Sequence, residues 1–174
     1  MGRFQRGQSV VEFAIVTPVL IFFVFGAFVT ETIMVDQMTA GYAVRQGARL
    51  ATELGGLKTN PPPATQASID QKVVRNILAV TRTMPSASVQ EIDIYKVTSA
   101  DGKLQSTDLQ DQFNGSGTAL ATQTFTLDQR LQTPPDETSV GVRLLWRYTP
   151  PGASGFAVYN SVIFAVMRDS PVLV

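Results

Sequence analysis

The stretch "VVEFAIVTPVLIFFVFGAFVT", residues 10–30, decides the fold, because it is apolar apart from Glu12 and an interior Pro18. At about 1.5 Å per residue a helix of this length reaches about 31 Å, which matches the ~30 Å hydrocarbon core of a membrane. A buried core helix would show a polar face, which this stretch lacks. The sequence therefore predicts a transmembrane helix over residues 8–30, which Pro18 should bend near residue 14.

The charges on either side of this segment predict its orientation. Arg3 and Arg6 precede it, whereas Glu31 and Asp36 are the nearest charges after it. By the positive-inside rule the amino terminus is then cytoplasmic. A secretory signal would have a shorter apolar core and a small-residue cleavage site, and "TETIMVDQM" offers no such site. We expect a single-pass chain with a periplasmic or extracellular remainder.

Composition excludes several classes of function. The 174 residues allow an anchor and one modest domain. Lysine plus arginine and aspartate plus glutamate number 14 each, so no overall charge attracts nucleic acid. The chain has no cysteine and no histidine, which removes thiolate nucleophiles, disulfides and the commonest general base and metal ligand. We predict no enzymatic activity, cofactor, nucleic-acid partner or small-molecule substrate, with serine–lysine chemistry as the one nucleophilic route left open.

Glu12 requires an explanation, because an unpaired charge in hydrocarbon costs roughly 2.5 to 3.5 kcal/mol. In the sequence Arg6 lies a turn and a half upstream, and the next basic residue is Arg45. One source of a cation is an amino group released by cutting the chain just before the apolar run, on this subunit or on a neighbour. Glu12 thus predicts either processing or a contact with a partner helix.

The residues "RG" followed by "QSVVEF" resemble the class III signal of type IV pilins. The resemblance implies that residues 1–7 are a leader and that a prepilin peptidase cuts between Gly7 and Gln8. Glu12 becomes the fifth residue of the mature chain. By the same resemblance Glu12, with Phe13 beside it, serves assembly and neutralises the amino terminus of an adjacent subunit. Methylation of Gln8 is left open.

The closer resemblance is to the TadE-like pseudopilins of tight-adherence (Tad) secretion systems, on "GQSVVEFAIVTPVL" and on "AVRQGARLA" at residues 43–51. It covers roughly residues 6–54, with a weaker echo in the last thirty. It implies a minor pilin or pseudopilin of the bacterial inner membrane that assembles with other pilin subunits and the Tad inner-membrane platform into a pilus for adhesion, surface attachment and secretion. A minor or major role, and a tip or base position, stay open. The alternative is an uncut, signal-anchored receptor or sensor.

The helix is expected to continue beyond the membrane, because residues 31–54 contain no proline and keep a helical face. "LGG" then ends it as a periplasmic extension. Glycine in a helix interior costs about 1 kcal/mol against alanine, so Gly41 and Gly47, next to Ala48, predict close packing against the chain's own head or a second subunit. The predicted face consists of Ile33, Ala40, Gly41, Val44, Gly47, Ala48 and Ala51.

Residues 55–174 are predicted to form a globular α+β head. Apolar spacings of three and four indicate a second helix over residues 66–83, which should lie on a sheet. Strands are predicted at residues 88–99 and 138–149, the latter by strict alternation. A last strand at residues 159–169 is expected centrally in the sheet or beneath the long helix. A long helix, a second helix and a mainly antiparallel sheet give a pilin-like outline.

The polar segment 101–137 should contain a short helix near residues 106–113 and a strand or hairpin arm near residues 119–127, because a structureless loop of that length is unusual.

Several polar residues are candidates for an anion, partner or calcium site. Arg143 and Arg147, which share a strand face with Leu145, could bind an anion or a partner, or form an ordinary solvent-facing side. Trp146 and Tyr148 are interpreted as core anchors. Four acidic residues invite a calcium site but lack EF-hand spacing, so solvated faces are favoured: Glu91, Asp93, Asp108 and Asp111.

Overall fold

The computed structural model describes residues 4–55, 65–130, 138–150 and 159–168. Its elements are α1 (Phe4–Gly55), α2 (Gln66–Thr81), β1 (Ala87–Lys96), β2 (Gln110–Asn114), β3 (Ala119–Gln123), a short 3-10 helix (Leu127–Gln129), β4 (Ser139–Tyr148) and β5 (Tyr159–Arg168). The strands form one sheet in the order β3-β2-β1-β4-β5. All neighbouring strands are antiparallel. The predicted α+β, pilin-like fold is confirmed.

Helix α1 is continuous from Phe4 to Gly55, so the predicted extension of the helix to residue 54 is confirmed. Its 52 residues reach about 78 Å. Pro18 lies inside it and supplies no backbone donor. The hydroxyl of Thr17, the residue just before it, donates to the Phe13 carbonyl one turn earlier at 2.7 Å. Five segments lie outside the described residues, namely 1–3, 56–64, 131–137, 151–158 and 169–174. The "KTNPPPAT" connection falls among them except for its last residue, Thr65.

Helix α2 begins at the Thr65 cap, whose hydroxyl accepts a hydrogen bond from the Ser68 backbone N–H at 3.3 Å. Such a cap satisfies one of the helix's free amide groups. The predicted apolar face is confirmed, since Ile69, Val73 and Ile77 are buried. The helix ends at Thr81, two residues before the predicted end. This face packs on α1 and on the sheet, and so joins the two layers.

Strand β4 lies at the centre of the head between β1 and β5. The predicted alternation is confirmed: five side chains on its helix-facing side are fully buried, namely Val140, Val142, Leu144, Trp146 and Tyr148. Strand β5 lies beneath α1, as one of the two expectations had it. The other expectation, a central position, was wrong, because β5 is the terminal strand of the described sheet. One face of β5 packs against the core through Ile163, Ala165 and Met167, whereas Val162 and Val166 are exposed on the other face.

The predicted short helix near residues 106–113 was wrong, since this stretch is a turn followed by β2. Phe113 pairs with Ile92 of β1 and is buried against the helix layer, while Gln112 faces the other side. Backbone pairing with a neighbouring strand therefore overrides the weak local preference of a polar sequence. The hairpin arm is confirmed as β3, although it ends at Gln123 rather than at residue 127.

Candidate functional site: the surface of the first helix and the charged clusters of the head

Residues 10–28 of α1 are apolar apart from Glu12 and Thr17, and their apolar side chains are exposed on all sides of the helix. The large side chains among them keep between half and three quarters of their surface exposed, for example 72% for Phe13 and 75% for Phe22. The head contacts α1 only farther along, beginning with partial burial of Val29 and Ile33. Among the described residues, α1 is the one helix long and apolar enough to cross a membrane. This surface requires an apolar environment that the head does not provide.

Gly7, Gln8 and Glu12 all lie within α1, which already begins at Phe4. Glu12 is exposed on the helix surface, beside the exposed ring of Phe13. Gln8 precedes Glu12 by four residues and therefore lies on the same face, one turn earlier.

Beyond the predicted membrane boundary, α1 has two different faces. The face toward the head is made of small buried side chains, which include Ala40, Ala43, Val44, Ala48 and Ala51. The opposite face keeps an exposed apolar stripe at intervals of four residues, formed by Met34 (59%), Met38 (74%) and Tyr42 (56%). Exposed apolar stripes of this kind mark interaction surfaces. The apolar surface of the first half thus continues along the extension.

The two interior glycines of α1 lie in different environments. A methyl group added at Gly47 would come within 2.5 Å of the Ile77 Cδ1, so this position needs glycine to let α2 pack closely. Ala48 beside it is fully buried. Gly41 is partly buried, and a methyl group there would meet no described atom within 4 Å. Close packing at Gly47 is with the chain's own head, through a side chain rather than a backbone.

The head is attached to α1 near the predicted membrane boundary. The hydroxyl groups of Thr32 and Tyr148 share a hydrogen bond at 2.9 Å, which places the end of β4 beside the start of the extension. One turn farther along, the Asp36 side chain is fully buried between α1 and the head. These contacts fix the height of the head along the helix.

A buried ionic cluster joins α2, β2 and the segment after β3. Arg130 has a fully buried side chain and donates to Asp70 at 2.7 and 3.1 Å, to Asp111 at 2.8 Å and to the Phe125 carbonyl at 3.0 Å. The Phe125 backbone N–H and the Gln66 amide also donate to Asp111, at 3.0 and 2.6 Å. The guanidinium lies 4.6 Å from the centre of the Phe125 ring. The cluster fastens three separate elements.

Two carboxylates and one guanidinium leave this cluster with a net negative charge in the interior. Burial raises the pKa of Asp70 to about 6, although the neighbouring Arg130 opposes the shift. A proton on Asp70 neutralises the buried cluster, which is why the protonated form is favoured there.

A second cluster lies on the sheet face opposite the helices. Arg143 contacts both Glu91 and Asp93, and Asp93 is fully buried. Burial raises the pKa of Asp93 to about 6, against the opposing effect of Arg143. Glu91 and Asp93 share a strand side as expected, and the anion that Arg143 binds is supplied within the chain. Arg147 is exposed, with a hydrogen bond at 3.3 Å to Asn160.

Asp108 and Asp111, two of the residues considered for a calcium site, accept hydrogen bonds from different partners. Asp108 accepts hydrogen bonds from the Thr98 hydroxyl and the Gln105 backbone N–H, whereas Asp111 belongs to the Arg130 cluster. The described residues contain no group of three or more acidic side chains placed to hold a metal ion. Both ionic clusters connect elements of the head.

The sequence offered no signal for Arg130, because it is a single arginine in a segment without periodicity. Only the fold brings it to Asp70, sixty positions away.

Comparison with known proteins addresses the first helix. Residues 7–49 match the family model of TadE-like proteins. The match confirms the resemblance seen in the sequence, and it includes Glu12, the exposed apolar segment and the start of the extension. No curated protein and no solved structure matches the chain. The match suggests a protein associated with the Tad pilus, and the apolar helix within it could span a membrane.

Proposed function

We propose that this chain is a minor pilin or pseudopilin that a prepilin peptidase cuts between Gly7 and Gln8 and that takes part in assembling a Tad-type pilus. In this role it is anchored in the bacterial inner membrane with a cytoplasmic amino terminus and a periplasmic head. It joins other pilin subunits and the Tad inner-membrane platform in an assembly for adhesion, surface attachment and secretion. The family match over residues 7–49, which spans the processing motif and the helix behind it, carries the proposal.

The geometry of α1 supports this function. The first half of the helix exposes apolar side chains in every direction, with Phe13 and Phe22 among the most exposed. Such a surface is stable in lipid, and it is equally stable in a bundle of similar helices that exclude water. A subunit with this helix can therefore leave the membrane and enter a filament without exposing the segment to water.

Glu12 supplies the assembly step in this proposal. Cutting before Gln8 creates an amino group at the edge of the apolar segment, and the Glu12 carboxylate of a neighbouring subunit pairs with it. Inside a water-free bundle the two opposite charges attract strongly, and neither is left alone in a medium of low dielectric constant. The pairing favours one axial register between neighbouring helices over others.

The exposed stripe on the extension supports the same arrangement. Met34, Met38 and Tyr42 face away from the head and continue the apolar surface by about 12 Å. A neighbouring α1 packed along the first half would meet this stripe before reaching the head. Pro18 and Gly41 then provide a bend and a place for close approach, respectively, in the helix bundle.

Two variants test the proposal in cells that carry the pilus system. Glu12→Ala should leave membrane insertion unchanged, because it makes the segment more apolar, while the amount of chain recovered with pilus subunits falls at least about tenfold. Gly7→Val should leave the full-length chain in the membrane, because the peptidase no longer cuts it. Cross-linking to pilus subunits and immunoblotting of membrane and sheared-surface fractions measure both effects.

Glu31→Ala is the matched control, since it removes an exposed carboxylate just outside the apolar segment. It should behave as wild type in both fractions. Normal recovery of the Glu12→Ala variant with pilus subunits would contradict the pairing role. Normal function of an uncut chain would instead favour a signal-anchored receptor or sensor, in which Gly7 is incidental.

A further inference from the structure

The head carries a groove of about 820 Å³ between α2 and the turn that joins β2 to β3. Leu78, which is partly buried, supplies apolar surface on the α2 side beside the buried Val74, and Gly117 lies opposite them. Gly117 has a positive φ of 84°, and a methyl group there would come within 3.0 Å of Leu78 and 3.2 Å of Val74. The close approach of the turn to α2 therefore depends on glycine.

The turn is held rigidly, so the groove exists before anything binds. The Asn114 side chain accepts hydrogen bonds from the Ser116 backbone N–H at 3.1 Å and from the Thr118 backbone N–H at 2.9 Å. The Gln71 amide of α2 donates to the Gly117 carbonyl at 3.2 Å and ties the two walls together. The hydroxyls of Ser116 and Thr118 are exposed at the rim.

The α2 rim of the groove is basic. Arg75 and Arg82 line it seven residues apart, which places them on the same helix face about 10 Å from each other. Lys72 is exposed one turn before Arg75. In the part of the chain that the structure describes, none of these three side chains has a carboxylate partner.

The basic rim is part of a wider excess of basic over acidic side chains at the described surface, which the net charge of the sequence does not show. The described side chains include ten basic and ten acidic residues, but five of the acidic and only one of the basic are buried, which leaves nine basic against five acidic at or near the surface. The buried residues are Asp36, Asp70, Asp93, Asp108, Asp111 and Arg130. Although the chain has no net charge, its described part thus presents more basic than acidic side chains at the surface, which favours anionic partners.

We propose that this groove binds an extended acidic peptide segment of a partner protein, with carboxylates on Arg75 and Arg82 and apolar side chains on Leu78 and Ala119. Alternate side chains of an extended peptide lie about 7 Å apart on one face, so carboxylates two or four positions apart match the two flexible guanidinium groups. The exposed Thr118 hydroxyl offers a further donor from the opposite rim, whereas the Ser116 hydroxyl already donates to Asn114 at 2.7 Å.

Two features favour a peptide over an anionic polysaccharide. The groove has an apolar floor, which alternate peptide side chains fill and a polysulfated sugar does not. It also opens beside Ala119, the first residue of β3, which is a terminal strand of the described sheet. Strand β3 contains neither a charged residue nor a proline that would block a further strand. Its outward backbone groups can pair with an extended peptide by strand addition.

The full chain in nanodiscs tests the inference with a fluorescent, acetylated seven-residue peptide that alternates valine and glutamate. Fluorescence anisotropy should show saturable binding that weakens with salt. A peptide that alternates valine and glutamine should bind at least about tenfold more weakly, because the charge pairs are lost. The double variant R75E/R82E should weaken binding of the glutamate peptide by at least about tenfold.

The matched control is R45E/R147E, which reverses two exposed arginines outside the groove and changes the net charge by the same amount. Its affinity should stay within about twofold of wild type. Equal losses in the two double variants, no binding to wild type, or displacement of the peptide by a polysulfated sugar at lower concentrations than by unlabelled peptide would each overturn the inference. Since the groove belongs to the head alone, these outcomes leave processing and pilus assembly untouched.

Discussion

Replacing Arg130 by methionine should destabilise the head strongly. The substitution keeps the volume of the side chain approximately but leaves two carboxylates, Asp70 and Asp111, fully buried without their guanidinium. Breaking a buried ion pair from one side costs about 3 to 5 kcal/mol, because the remaining charge has lost both water and its partner. The Phe125 carbonyl also loses a donor at 3.0 Å. We expect a loss of about 4 kcal/mol in the free energy of unfolding at pH 8.

Urea unfolding of the full chain in detergent measures this loss. Trp146 is the chain's single tryptophan and is fully buried in the head, so its fluorescence reports the head and not the membrane helix. With a urea dependence of about 2 kcal/mol per M, the midpoint should fall by roughly 2 M. Arg49→Met is the control, because Arg49 forms an exposed pair with Glu53 one turn away, and it should leave the midpoint unchanged.

Two further results decide whether charge is the cause. Lowering the pH from 8 to 5 should reduce the difference between Arg130→Met and wild type, because Asp70, whose pKa burial raises to about 6, can then take up a proton. The triple variant D70N/D111N/R130M should recover much of the loss, since it leaves no buried charge. A midpoint within about 0.3 M of wild type for Arg130→Met, or an equal loss at both pH values, would refute this account of the cluster.

Two other predictions concern the head and the helix. Burial raises the pKa values of Asp70 and Asp93 to about 6 in the native state, so their contribution to stability is full below about pH 4 and is lost as the pH rises through 6. The urea midpoint of wild type, compared with that of D70N/D93N, should therefore be higher at pH 5 than at pH 8. A lower relative midpoint at pH 5 would contradict the burial of these two carboxyl groups. Gly47→Val should destabilise the head by about 1 to 3 kcal/mol through overpacking, whereas Gly41→Val should leave the Trp146 transition unchanged, and equal effects would contradict the packing assigned to the two positions.

The elements that the sequence predicted well have strong local patterns. The three- and four-residue spacing of α2 and the strict alternation of β4 each show in the sequence which side is buried, and the apolar run of α1 shows a helix without a polar face. The pilin-like outline follows from these three elements in order. The small residues of the extension indicated part of the packed face: Gly47 and Ala48 lie against the head, whereas a methyl group at Gly41 would meet no described atom within 4 Å.

The remaining features depend on contacts between distant residues. Strand β2 was mistaken for a helix because its burial is set by pairing with β1, and its own five residues are mostly polar. The position of β5 at the sheet edge follows from the pairing of β4 with β1, which no property of β5 encodes. Arg130 gains its role from three separate elements, and the groove beside α2 from a turn on β3. Such sites become visible only when the chain is folded.

The most direct test of the central claim is the amino terminus of the native protein. Intact-mass and amino-terminal analysis of the chain extracted from membranes and from purified pili should show that it begins at Gln8, with or without a methyl group. A chain that still carries residues 1–7 in functional pili would contradict the claim that cleavage supplies the partner of Glu12.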